Sequence, residues 1–163
     1  MFDKLKSLDT DLLIFLNNLG SDQFDFLWLA ITNKYTWIPF YFYLIYLYFS
    51  SIKLKPKSIF LFFVVIGLMI LFTDQSSNLT KQYFQILRPC HDESISGLIR
   101  VVKDGCGGLY GFFSAHASNS FAIAGFFYFS FDKDYKWRKF LFLWATIIAY
   151  SRVYCGVHFP SDV

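Results

Sequence analysis

Three cations, two histidines and a carboxylate recur at the ends of apolar runs. Lys81 and Arg88 lie in Lys81-Gln-Tyr-Phe-Gln-Ile-Leu-Arg88-Pro89, which closes one run. His116 lies in Phe113-Ser114-Ala115-His116, which opens another, and Arg152, His158 and Asp162 follow the run Phe140 to Tyr150. Ionisable residues at the end of a spanning helix are costly to place there and mark function. Arginine gives bidentate hydrogen bonds to phosphate oxygens. Ser114 has the chemistry of an N-cap, so the amides of Ala115 and His116 would stand free at a helix start and form an anion site. His158 and Asp162 are four residues apart. A carboxylate on one ring nitrogen fixes the tautomer and leaves the other nitrogen as a lone-pair nucleophile. This is the equipment for holding a phosphate and cleaving it.

Each cluster alone has a plainer reading. Lys81 and Arg88 match a snorkelling pair at a membrane exit, and His116 matches a hydrogen-bonded interface histidine. Convergence of the three clusters on one face favours function. On a continuous helix a seven-residue step is nearly two turns, which puts Asp74, Lys81 and Arg88 on one stripe. Asp74, deeper in the run, reads as a structural partner for polar groups on a neighbouring helix. His91, beside Cys90 and Asp92, reads as a solvated loop residue. His91, His116 and His158 have no metal-ligand spacing, and the cations around them would repel a metal ion, so no metal site and no cofactor is expected.

The elements that must position these residues are membrane-like. The chain has 163 residues, one domain's worth, with 55% hydrophobic, 23% aromatic and only 17% charged residues and a mean hydropathy of +0.40. The net charge of +3, without any Lys/Arg run, excludes a nucleic-acid partner. Residues 1–34 read as two amphipathic helices, the first with Leu5, Leu8, Leu12, Leu13, Phe15, Leu16 and Leu19 on one apolar face and Gly20 as its stop. Neither is a clean run of about 20 apolar residues, so helices lying in the interface are expected rather than spans. Spans follow at about Thr36 to Ser51, Ser58 to Phe72, Ser114 to Phe131 and Phe140 to Gly156. The second is expected to continue as one helix to Arg88, because nothing breaks it before Pro89. In the third, Ala117, Ser118, Ser120, Ala122, Ala124 and Gly125 would allow close helix approach. Two short turns carry Lys53, Lys55 and Lys57, and then Lys133, Lys136, Arg138 and Lys139. Positive-inside bias makes that side cytoplasmic, and Arg88, His116 and His158 then face outward together. Cys90 and Cys106 share the polar, glycine-rich loop 89–113 on that oxidising side and are expected to form a disulfide.

K-x6-RP from Lys81 to Pro89, S-x-H from Ser114 to His116 and SR-x5-H-x3-D from Ser151 to Asp162 resemble the three signature motifs of the type 2 phosphatidic acid phosphatase and vanadium haloperoxidase superfamily. The resemblance implies Lys81, Arg88 and Arg152 as phosphate ligands, with Ser114 and the Ala115 amide as further contacts. It implies His116 as general acid, His158 as nucleophile and Asp162 as its orienter. One departure is Ala115, where the family commonly has glycine. The expected fold is an all-α, multi-spanning membrane helix bundle with interfacial N-terminal helices, formed by one domain over 1–163 (1–34 interfacial, 35–163 spans and catalytic loops). Because the family continues into another span after the last motif, the chain is expected to lack a C-terminal closing helix. The expected function is a lipid phosphatase in the bacterial inner membrane with its site on the periplasmic face. Undecaprenyl diphosphate is the favoured substrate, and phosphatidylglycerophosphate, phosphatidate or lipid A are alternatives. A non-catalytic scaffold or transporter retaining a phosphate site would be expected to have lost His116, His158 or Asp162. The spans argue against a soluble vanadate-dependent oxidase.

Overall fold

A computed structural model describes residues 2–51, 55–103 and 105–163; Lys53 of the first basic turn and Asp104 of the glycine-rich loop lie outside them. Six α-helices run in the order α1 Phe2–Asn18, α2 Asp22–Thr32, α3 Ile38–Ser51, α4 Pro56–Phe84, α5 Ala115–Ser130 and α6 Phe140–Tyr154. Among the described residues there is no strand, only an isolated antiparallel bridge between Leu87 and Tyr110. The protein is all-α, as its sequence leads one to expect.

The longest helix is α4, with Pro56 at its first turn, where the missing N–H and fixed φ of proline suit a helix start. At 1.5 Å per residue its 29 residues span about 44 Å, enough for a hydrocarbon core of about 30 Å. It has almost no buried face. Phe60, Leu61, Phe63, Leu68, Leu71 and Phe72 are all exposed, as are Phe129 on α5 and Leu143 on α6. Side chains of this kind are turned outward where the surrounding solvent is itself hydrocarbon. The other three expected spans form α-helices of 14, 16 and 15 residues, shorter than the roughly 20 that cross a bilayer alone. Two of them are lengthened by 3-10 turns, Lys34–Trp37 before α3 and Lys136–Lys139 before α6.

The core lies between α5 and α6. Ala117, Ser120 and Ala124 are buried on α5, and Leu141, Ala145, Ile148 and Ala149 on α6. Small residues on both helices let the backbones approach. Gly125 takes no part in this, because a side chain there would meet open space. Around this hairpin Leu44 of α3, Phe62 of α4 and Phe127, Phe131 and Trp144 complete one cluster.

Two expectations change. The helix carrying Lys81 does not reach Arg88: it ends at Phe84, where Gln85 takes a left-handed conformation with φ of 50° and returns its N–H to the Lys81 carbonyl. Asp74, Lys81 and Arg88 therefore share no continuous helical stripe. The apolar residues of α1 also fall on two faces rather than one. Leu5, Leu8, Leu12, Phe15 and Leu19 are exposed, whereas Leu13 is buried and packs with Leu16 against Val153 and Phe159. α1 thus presents a greasy surface outward and grips the last motif with its other side.

Candidate active site

Arg88 arrives on an extended segment. Its N–H donates to the Leu109 carbonyl at 3.0 Å, and Gly111 N–H donates to the Ile86 carbonyl at 2.8 Å. These bonds flank the Leu87–Tyr110 bridge and seat the loop's return on the segment that follows α4. The Arg88 Nε then donates to the Tyr110 carbonyl at 3.2 Å, which leaves the outer guanidinium nitrogens for a ligand. Lys81 reaches the same place from the last turn of α4, close enough to Arg88, Arg152 and Asp162 for their charges to act on its own. The K-x6-R spacing works because the chain stops being helical midway.

Ser114 is the N-cap of α5, and its hydroxyl accepts from the Ala117 N–H at 3.5 Å. The amides of Ala115 and His116 lie in the first turn, where a helix has donors without intrahelical acceptors. The Ser114 N–H donates to the Asp162 carbonyl at 2.8 Å, which ties the second motif to the third. His116 is half-buried on the next position, within the field of Arg152, Arg88, His158 and Lys103.

Arg152 projects from the last turn of α6 and is 3% exposed. Its Nη1 donates to the Thr32 hydroxyl of α2, and its buried Nε has no protein partner. Unpaired buried donors are expensive; here one belongs to a cation facing two others, as a phosphate site requires. His158 is 2% exposed. Its Nδ1 lies 3.0 Å from Asp162 Oδ2, and the same oxygen accepts from the Phe159 N–H at 3.0 Å. With Asp162 ionised, Nδ1–H is the donor, and Nε2 keeps its lone pair.

The charges of this corner oppose one another. Burial pushes the Asp162 carboxyl up to about 6, although the Phe159 amide, Arg88 and Lys81 pull the other way. Burial, then Arg88, Arg152 and Lys81, hold the His158 imidazolium well below the usual histidine range, so the ring is neutral. Neutral is the state a nucleophilic histidine needs.

All the expected site residues meet at one end of the bundle, and several unexpected ones hold them. Lys103 is a fourth cation: its ammonium is lowered by burial and then by Arg152 and Arg88. Gly111 is compulsory, since a Cβ there would lie 2.8 Å from Asp162 Oδ2 and 3.4 Å from Arg88 Cγ. From α1, Asp9 accepts from the Ser161 N–H at 2.9 Å and from its hydroxyl at 2.6 Å. Asn17, fully buried, donates to the carbonyls of Arg100, Val153 and Tyr154 and accepts from the Arg100 N–H. Tyr154 OH donates to Asp25 of α2 at 2.8 Å, which also pairs with Arg100. Cys90 and Cys106 are bridged, with their Cα atoms 6.1 Å apart, closing the loop that carries Lys103. Asp74 accepts from Asn119 of α5 at 2.8 Å and lies near enough to Lys81 for its charge to act on that ammonium; His91 is an exposed loop residue.

A family model described as the PAP2 superfamily matches residues 59–163. The chain is 36% identical over 166 residues to a lipid A 4'-phosphatase of Bacteroides thetaiotaomicron, in a match covering 100% of this chain and 72% of that protein. It is 33% identical over 161 residues to a lipid A 4'-phosphatase of Porphyromonas gingivalis, covering 96% of this chain and 65% of that protein. No solved structure matches.

Proposed function

The chain belongs to the PAP2 superfamily, and on that footing we propose that it is a lipid phosphatase removing a phosphomonoester from a lipid A-type glycolipid through a phosphohistidine at His158. The observation that carries the reaction is the His158–Asp162 pair, 3.0 Å apart, buried against Lys81, Arg88 and Arg152. In the first step His158 Nε2 forms a bond to phosphorus as the bond to the sugar oxygen breaks, and His116, held protonated by the anionic phosphate bound beside it, gives that oxygen its proton. Asp162 compensates the positive charge that develops on the His158 ring. In the second step water attacks the phosphohistidine, His116 takes the water's proton, and inorganic phosphate leaves with His158 restored. The three cations and the start of α5 supply the positive field that a divalent metal provides elsewhere.

The names of the two relatives support lipid A over undecaprenyl diphosphate, the substrate expected from the sequence, and point to its 4'-phosphate. Orientation rests on the basic turns. Lys55 and Lys57 at the start of α4, with Lys133, Lys136, Arg138 and Lys139 before α6, oppose the motif end and mark the cytoplasmic side. The site then faces outward from the inner membrane.

The test is phosphate release by the detergent-solubilised protein from bis-phosphorylated lipid A, undecaprenyl diphosphate, phosphatidylglycerophosphate and phosphatidate, with mass spectrometry of the products. Lipid A losing its 4'-phosphate at the highest kcat/KM is the expected result. Release from undecaprenyl diphosphate with lipid A untouched overturns the substrate, and no release from any of them overturns the reaction.

A further inference from the structure

Two cavities flank the catalytic cluster, and the direction of the reaction distinguishes them. One, of about 620 Å³, lies between α1 and the segment after α4 and includes Asp162 in its wall. The other, of about 210 Å³, includes His116 and runs between α2, α3, α4, α5 and α6. In phosphoryl transfer the attacking and leaving atoms lie roughly in line across the phosphorus. Asp162 sits behind the nucleophile, on the Nδ1 side of His158, so the larger cavity is on the wrong side for a leaving group. The general acid marks the right side. The alcohol that departs must leave its oxygen beside His116, and what is attached to that oxygen has the smaller cavity next to it.

The walls of that cavity say what enters. Most of its polar groups are committed to the protein: the Thr32 hydroxyl to Arg152, Asn119 to Thr73 and Asp74, Ser120 to the Ala117 carbonyl, and the Trp37 indole N–H to the Ile31 carbonyl at 2.8 Å. Beyond His116, the exposed Lys34 and the Tyr41 hydroxyl, what remains on offer is hydrocarbon, from Ile31, Ile70, Ile123, Ile148 and the ring faces of Trp37 and Tyr41. Sites for whole drug-sized ligands run to roughly 300–1,000 Å³, so this one takes a portion of a lipid. Tyr41 on α3 and Ile70 on α4 both line it, while those helices meet further along, through Tyr48 and Phe49 against Phe62. The cavity therefore lies where α3 and α4 face each other towards the motif end of the bundle, a direction from which a chain held in the bilayer can enter.

We propose that the cavity beside His116 receives one hydrocarbon chain of the substrate's alcohol, close to the phosphorylated carbon, and thereby selects lipid phosphates over soluble ones. The proposal rests on the phosphatase reading above. It is tested with two variants that fill the cavity from different helices, Ile123→Trp and Ile70→Phe, assayed on the bis-phosphorylated lipid and on p-nitrophenyl phosphate, whose leaving group carries no chain. The ratio of kcat/KM for lipid to that for p-nitrophenyl phosphate should fall at least tenfold in both, with Phe129→Trp, exposed on the outer face of α5, as the unchanged control. A ratio unaltered in both variants overturns the assignment, as does an equal loss on both substrates. Wild-type protein that cleaves p-nitrophenyl phosphate but no lipid phosphate would refute the lipid reading itself, and the cavity's role with it.

Discussion

At the motif end of the bundle the charges are inside; along α4 most of the phenylalanines are outside. Arg88, Arg152, His158 and Asp162 are buried, whereas Phe60, Leu61, Phe63 and Phe72 are exposed. Each region inverts the usual arrangement of a soluble domain for a different reason. Along α4 the exposed surface suits a lipid neighbour, with which apolar contact costs nothing. At the motif end the buried cations repel one another, and on the proposed reading a bound phosphate relieves that repulsion, so the stability they forgo becomes binding selectivity. The comparison predicts that small changes at the motif end have large consequences and that large changes along α4 have small ones.

The largest expected effect is loss of the deepest cation. Arg152→Ala should lower kcat/KM about a thousandfold, in the range found for removal of one charge-stabilising donor. Arg152→Lys should recover only part, because the bidentate fork is lost. Next comes the smallest possible addition: Gly111→Ala places a methyl group 2.8 Å from Asp162 Oδ2. The carboxylate must move, and a displacement of about 1 Å costs about a hundredfold in kcat.

The pH profile sharpens the comparison at about tenfold per unit. Asp162 must be ionised to hold the Nδ1–H tautomer of His158, and its carboxyl is raised to about 6. Activity should therefore fall as pH drops below 6, and Asp162→Asn should remove that limb along with most of the rate. The stability trend is opposite in sign. A carboxyl raised in the folded state favours the protonated form, so its ionisation costs stability as pH rises from its ordinary 3.8 through 6. Thermal unfolding of wild type against Asp162→Asn should show the variant gaining relative stability over that window.

Asn17→Ala tests the brace. It strands several backbone groups that the amide serves, at about 2–3 kcal/mol, which should appear as a lowered unfolding temperature with only a few-fold change in rate. Smallest of all, Leu68→Ala on the outer face of α4 should leave activity within twofold and stability within about 0.5 kcal/mol.

How much of this was legible in the sequence follows the same division. The spans were legible because apolar runs need only their own composition, and the three motifs because each packs its chemistry into one short segment. The route to Arg88 was not: an unbroken apolar-to-polar run reads as helix, and the left-handed turn at Gln85 is enforced by the Leu87–Tyr110 pairing with a distant loop. The supporting residues were illegible for a related cause. Asp9, Asn17 and Thr32 act through side-chain contacts to residues 83 to 152 positions away, which leave no periodic trace. The glycines of the loop were visible as a group, but only the position of Asp162 singles out Gly111.

The proposed reaction passes through a covalent bond at one nitrogen, which rapid quenching of the enzyme with a 32P-labelled lipid phosphate measures directly. Label should appear in the protein within the first turnover, acid-labile and base-stable, on the peptide containing His158. It should form undiminished in the presence of a chelator and be absent from His158→Ala. Turnover that passes without labelled protein, label retained in His158→Ala, or label that forms only when divalent metal is restored would contradict it.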